Sequence, residues 1–301
     1  MSLVFATLFN SAYLLQGLAL VDSLIEKYPE SKIYLALLDD LTISTFREKY
    51  SNSNRIIFNN NSIKENYEKR ISNSEKISEV IFSLKPDLIS QAMLNVEGEM
   101  YFYCDADLYF FNRFNFENIT EDVIVTEHLF KDELVDHLVY GKFNGGFVGF
   151  SKSFDSLNCL EWWKTRCRES TANDPLRGIV GDQKYLEHFP KLVPSIKIMK
   201  TTSMNQSVWM FDNNSSVLDG PKVNGQLVYS YHFHRLKTFR ILFKTGINQY
   251  GRINCRSEIY KFVYKPYLVE LDRQRGFVKK INFKNPKFNL RELKRFEWAL
   301  I

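Results

Sequence analysis

The 301 residues are 45% hydrophobic and 25% charged, the balance of a soluble globular chain with room for one large domain or two small ones. The net charge of +5 is too small to indicate nucleic acid, yet it is unevenly placed, because residues 251–301 hold 13 Lys and Arg against five Asp and Glu. Cys104, Cys159, Cys167 and Cys255 lack both metal-ligand spacing and the density of a disulfide scaffold, so a reducing, cytoplasmic compartment is expected.

The start Met1-Ser2-Leu3-Val4-Phe5 has no basic n-region, so no signal peptide is expected, and no apolar run reads as a membrane span. Residues 3–8 form the first expected strand. Asn10 or Ser11 then caps a helix whose apolar positions Leu14, Leu15, Leu18, Val21, Leu24 and Ile25 follow helical spacing up to Pro29. Residues 32–38 are a second strand ending at Asp39-Asp40, and this β-α-β opening predicts an α/β fold with a parallel sheet. The Asn- and Ser-rich stretch 51–61 reads as mostly surface loop. Residues 75–94 are helical, with Lys85-Pro86 expected to kink that helix or start a new one.

Residues 100–104 are a short apolar strand of the kind buried in a parallel sheet, and Asp105-Ala106-Asp107 follows where it ends. Further strands are expected at 122–126, from Asn144-Gly145-Gly146 to Phe150, at 196–199 and at 226–231, the last running into His232-Phe233-His234. Residues 154–168 form a helix on which Trp162 and Trp163 read as packing residues. Residues 258–270 and 290–299 are helical candidates in the basic C-terminal region.

In open α/β sheets the ligand crevice lies outside the carboxyl ends of the strands, where Asp105 and Asp107 fall. Two hard oxygen donors there suit Mg²⁺ or Mn²⁺ and, through it, a bound diphosphate. The spacing alone is weak, since 15 Asp in 301 residues supply about 0.7 such pairs by chance. Gly145 and Gly146 would let backbone approach a ligand closely, and Asn144 could bond sugar hydroxyls, although for this segment taken alone a tight turn or bulge is the favoured reading. Asp182-Gln183 is read either as a sugar contact or as a helix N-cap. His232 or His234 could be a third ligand to the ion, against the ordinary reading of a structural histidine.

Taken in order, Asn10-Ser11-Ala12-Tyr13, Leu84-Lys85-Pro86, Tyr103-Cys104-Asp105-Ala106-Asp107, Phe143-Asn144-Gly145-Gly146, Asp182-Gln183 and His232-Phe233 resemble the GT-A nucleotide-diphospho-sugar glycosyltransferases. The resemblance spans roughly residues 3–237 and is nearest to the family-8-like bacterial enzymes of surface polysaccharide synthesis. It implies a Rossmann-like, mostly parallel sheet flanked by helices over 1–235 and a basic helical acceptor or membrane-proximal region over 236–301. It assigns Asp105 and Asp107 to Mn²⁺ or Mg²⁺ and the donor's ribose and diphosphate, and His232 to the same metal, with His234 as rival. Tyr13 and Asn10 match the nucleobase segment. Asn144, Gly145, Gly146, Asp182 and Gln183 match the surroundings of the donor sugar, and Lys85 a basic position near the phosphates. The family's glycine and Lys-Pro-Trp after the histidine are replaced by Arg235-Leu236-Lys237, so a phosphate-closing role for Lys237 rests on position alone.

The function implied is metal-dependent transfer from a nucleotide sugar, a UDP-sugar first, to a saccharide or lipid-linked acceptor. Retention is favoured, with Asp182 and Gln183 beside the reacting carbon, and Asp182 as an inverting base is the open alternative. A sugar nucleotidyltransferase would carry a glycine-rich basic loop after the first strand, which Asn10-Ser11-Ala12-Tyr13 is not. A non-catalytic nucleotide-sugar-binding protein is the third reading. The basic C-terminal stretch predicts either peripheral docking on the anionic inner face of the membrane or a solvated surface.

Overall fold

The computed structural model describes residues 1–200, 203–211, 222–239, 242–247, 256–279 and 298–300. The chain opens with β1 (Leu3–Phe9), α1 (Leu14–Lys27) and β2 (Lys32–Leu37), the β-α-β unit that the apolar spacing predicts. Next come α2 (Asp40–Tyr50), β3 (Ile56–Phe58), α3 (Ser62–Ser72) and α4 (Ile77–Asn95). β4 (Met100–Cys104), β5 (Leu108–Phe110), β6 (Val123–Glu127), β7 (Phe143–Ser151) and α5 (Phe154–Glu169) complete the central part.

Seven strands form one sheet in the order Ile196–Met199, β6, β7, β4, β1, β2, β3. All neighbours are parallel except β7, which runs antiparallel between β4 and β6. Successive side chains of a strand point to opposite faces, and each strand here serves two cores. Phe5, Phe9, Leu35, Leu37, Phe102 and Cys104 face one core with α1. Val4, Ala6, Leu8, Tyr34, Tyr101 and Tyr103 face the other with α4 and α5. A sheet buried on both sides is why these strands read as continuous apolar runs.

Four expectations are refined or corrected. The stretch 51–61 is mostly loop, as expected, but it contains β3, a three-residue edge strand parallel to β2; an edge strand this short needs so few apolar residues that its Asn and Ser flanks mask it. α4 runs through Pro86 as a single helix, so no new helix starts there. An interior proline costs about 3 kcal/mol in an exposed helix, a cost that burial of Val80, Leu84, Leu88, Ile89 and Ala92 on the same helix offsets. The helix expected at 290–299 lies mostly outside the described residues, and at its end Trp298–Leu300 is a strand antiparallel to Leu242–Lys244. The strand expected at 226–231 is two short pieces, Gln226–Leu227 and Ser230–His232. The second of these pairs antiparallel with β5 rather than joining the main sheet.

The helical candidate at 258–270 is present within Arg256–Ile259, a π turn Tyr260–Tyr264 and Lys265–Val278. Its Val263, Tyr264, Tyr267, Leu268 and Leu271 join the core that α1 lines. Among the described residues no helix is long and apolar enough to cross a membrane.

Gly17, inside α1, tests how β1 and α1 meet. A Cβ there would run into the Phe9 ring, which itself packs against Phe46. Gly→Ala inside a helix ordinarily stabilises by about 0.4–1 kcal/mol. Here overpacking of about 1–3 kcal/mol should reverse the sign. Gly17→Ala is therefore expected to lower the urea midpoint, and a raised midpoint would contradict the packing.

Candidate functional site

The site forms where β4 ends beside β7. Asp105 N donates to Gly146 O at 2.9 Å, which ties the acidic segment to the neighbouring antiparallel strand. Two residues earlier on the same face, the Tyr103 hydroxyl donates to Asp105 Oδ1 at 2.6 Å. Asp107 Oδ1 lies 3.1 Å from His232 Nε2, brought there by the pairing of His232 with Leu108 in the ribbon of β5 and Ser230–His232. Asp105, Asp107 and His232 each offer a ligand atom, and these atoms lie within 4.8 Å of one another.

Two carboxylates and an imidazole are a fitting donor set for Mg²⁺ or Mn²⁺. Two ligands at right angles on an ion about 2.1 Å away stand about 3 Å apart, and the Asp107–His232 contact already has that separation. Burial opposes charge on both partners. The carboxylate nevertheless holds the His232 pKa above its ordinary value, and the imidazole holds Asp107 below its own. A metal would therefore replace a proton shared by this pair. His234 falls outside the group. It lies edge-on to His232 and Trp209, and burial together with His232 lowers its pKa to about 4.

Lys85 occupies the centre of the site. It is 2% exposed, with Nζ 3.1 Å from Asp105 Oδ1, 3.2 Å from Asp182 Oδ1 and 3.3 Å from Gly145 O. The Tyr103 ring lies 4.8 Å from the same ammonium. Burial works against the charge, but Asp105 and Asp182 outweigh it and raise the Lys85 pKa. The ammonium thus bridges two carboxylates from separate parts of the chain.

Asp182 begins the turn Gln183–His188 but makes no side-chain cap to it, so the capping reading does not apply. Burial, opposed by Lys85 and reinforced by Asp105, raises its pKa to about 6. Its Oδ2 is buried without a hydrogen-bond partner. Trp163, read from sequence as packing alone, also donates its indole N–H to Asp182 O at 3.1 Å. Gln183 Nε2 donates to Tyr140 O at 2.8 Å.

The two glycines of β7 have a steric reason. A Cβ on Gly145 would stand 2.6 Å from Asp182 Oδ2, and one on Gly146 would stand 2.8 Å from His232 Cε1. Bare backbone at both positions lets the carboxylate and the imidazole close on the strand. Asn144 Oδ1 accepts from Gly146 N at 2.8 Å, and the β6–β7 register shifts beside it, between Val125 and Thr126.

At the first strand, Asn10 Oδ1 accepts from Ala12 N at 3.1 Å and caps the short turn Ser11–Tyr13. Tyr13 keeps 40% exposure, yet desolvation, with Asp107 and Asp105 nearby, raises its phenol pKa. Lys237 is exposed on the short strand Lys237–Thr238, outside this cluster. The structure therefore gathers Asp105, Asp107, His232, Lys85, Asp182 and Gly145-Gly146, with Tyr13 at the margin. Sequence reasoning missed Tyr103, Trp163 as a donor, and Trp209, whose ring lies edge-on to both His232 and His234. Only Tyr103 carried a signal, its alternation with Asp105.

No family model matches the chain. It is 26% identical over 311 residues to the uncharacterized protein YfnF of Bacillus subtilis (strain 168), covering 96% of this chain and 97% of that protein. Over 207 residues it is 28% identical to the uncharacterized protein YfnD of the same organism, covering 65% of each. It is similar to the solved structure of mouse xyloside xylosyltransferase 1 in its apo form, at 12% identity and a TM-score of 0.47, covering 78% of this chain and 98% of that one. It is also similar to that of the galactosyltransferase LgtC in complex with donor and acceptor sugar analogs, at 12% identity and a TM-score of 0.49, covering 98% and 99%.

Removing the Lys85 charge leaves Asp105 and Asp182 facing each other in a buried site. Breaking a buried ion pair costs about 3–5 kcal/mol, and Lys85→Met is expected to lose stability on that scale. Adding Asp182→Asn removes one stranded carboxylate and should restore part of the loss. Chemical denaturation of the four species completes the cycle, and strictly additive losses would contradict the bridge.

Proposed function

We propose that this protein is a metal-dependent GT-A glycosyltransferase. It moves a sugar from a nucleotide-diphospho-sugar, a UDP-sugar first, to a saccharide or lipid-linked acceptor, with retention at the transferred carbon. The observation that carries the reading is the convergence of Asp105, Asp107 and His232 at the carboxyl end of β4, beside the buried carboxylate of Asp182. Such a group at the strand ends of a mostly parallel sheet suits a ligand crevice. The set sits in the order that the sequence resemblance requires.

Mn²⁺ or Mg²⁺ on the three side chains would supply positive charge against the nucleoside diphosphate as it leaves. The chain's own residues do the rest. Lys85 spends its charge on Asp105 and Asp182, which fixes both carboxylates against the repulsion between them. With a pKa of about 6, Asp182 is mostly ionised at neutral pH, and its charge favours the positive character that a sugar carbon develops as the bond to phosphate breaks. Its unpartnered Oδ2 remains available to a sugar hydroxyl. Asn144 has its Oδ1 committed to Gly146 N, which leaves its amide N–H groups as donors. Gln183 has donated to Tyr140 O and retains its carbonyl as an acceptor. Together these groups would orient the donor sugar over the ion.

A thermal-shift panel of UDP-, GDP- and CMP-sugars, with and without Mn²⁺, tests the reading. A ligand at 100 times its Kd adds about 2.7 kcal/mol to stability. One nucleotide class should therefore raise the Tm by several degrees only when metal is present, and Asp107→Ala should erase that gain. Slow release of the nucleoside diphosphate should accompany it. A flat panel would contradict glycosyl transfer, and stabilisation without any release would favour a binding protein.

A further inference from the structure

Tyr103 stands two residues before Asp105, and β4 ends between them. Its side chain is buried in the core that α4 and α5 line. From there the hydroxyl donates to Asp105 Oδ1 at 2.6 Å, since an ionised carboxylate can only accept. The same ring lies 4.8 Å from the Lys85 ammonium, whose Nζ is 3.1 Å from that Oδ1. Tyr103 therefore touches both members of the ion pair beneath the site.

The two oxygens of Asp105 are unequally engaged. Oδ1 receives Tyr103 and Lys85, which fills both of its lone-pair directions. Oδ2 stands 3.5 Å from Lys85 Nζ, the longer of the two approaches. The Asp105 side chain keeps 24% exposure, against 2% for Lys85, so the carboxylate is open on the side that Tyr103 and Lys85 leave uncovered. An ion arriving there meets one oxygen of Asp105 rather than two. Mg²⁺ and Mn²⁺ suit that contact, because they take octahedral shells. Ca²⁺ gathers about six to eight oxygens and often uses both oxygens of a carboxylate.

We propose that Tyr103 is a positioning residue that makes Asp105 a one-oxygen ligand, and that it thereby selects Mn²⁺ and Mg²⁺ over Ca²⁺ at Asp105, Asp107 and His232. This inference rests on the metal-dependent reading and adds to it the source of ion selectivity. Tyr103 acts through Asp105 and touches no substrate. Hydrogen bonds that orient a ligating group are worth about 10–100-fold in metal affinity.

Tyr103→Phe keeps the ring, its packing and its contact with Lys85, and removes the hydroxyl alone. Tyr101→Phe is the control. Tyr101 is also buried, faces the same core, and donates to Val96 O at 2.7 Å and Gly98 O at 3.0 Å, toward the start of β4. Both variants should lose some stability in chemical denaturation, as each leaves a buried acceptor short of a donor. Electron paramagnetic resonance of free Mn²⁺, titrated against protein with Ca²⁺ as competitor, gives the Kd of each ion. The preference for Mn²⁺ over Ca²⁺ should fall about tenfold in Tyr103→Phe, mainly through weaker Mn²⁺ binding. Tyr101→Phe should keep the wild-type preference. A wild-type preference in Tyr103→Phe, including an equal loss of both ions, overturns the inference and leaves the transferase reading standing. A wild type that binds no Mn²⁺ overturns both.

Discussion

The arrangement depends on one buried ammonium. Lys85 lies beneath the site with Asp105 on one side, Asp182 on the other and the Gly145 carbonyl as a third oxygen. Removing an ion from water costs several kcal/mol, so such a charge persists only where well-placed oxygens surround it. The lysine comes from α4, one carboxylate from the end of β4, the other from the turn after Gly181 and the carbonyl from β7. Satisfying one charge therefore sets the relative positions of four chain segments. It also explains why α4 continues past Pro86: the helix is anchored on both sides of the proline by buried Leu84, Lys85, Leu88 and Ile89.

The antiparallel strand β7 is the second constraint. It lies between β4 and β6 with its glycines at the level of Asp105, where any Cβ would strike Asp182 or His232. A strand interior ordinarily loses stability to glycine. Here two in succession let three acid–base groups converge across bare backbone. The left-over valences, Asp182 Oδ2 and His232 Nδ1, are the polar atoms that a site built to receive a ligand would hold in reserve.

Much of this was legible before the structure. The buried strand before Asp105 was visible because a strand covered on both faces is apolar at every position, and the acidic pair stood out by ending it. The glycines were legible as glycines, whereas their reason was not, since the atoms they make room for come from residues 182 and 232. Asp182 was ambiguous because a capping aspartate and a buried, paired one look alike in sequence; only the missing cap and the nearby Lys85 separate them. The helix α3 buries only Ile63 and Tyr67, and β3 is three residues long, so neither left a periodic pattern to read. Trp209 was invisible for a different reason, because its place beside His232 and His234 is a tertiary fact with no local signature.

The central claim is that Asp105, Asp107 and His232 hold one divalent ion between them. Pulsed electron paramagnetic resonance of Mn²⁺ bound to the protein reads this directly, through coupling of the electron spin to a ligand nitrogen. One imidazole nitrogen should couple to Mn²⁺ in the wild type, a coupling lost in His232→Gln and retained in His234→Gln. A coupling that survives in His232→Gln and vanishes in His234→Gln, or bound Mn²⁺ with no nitrogen coupling at all, would contradict it.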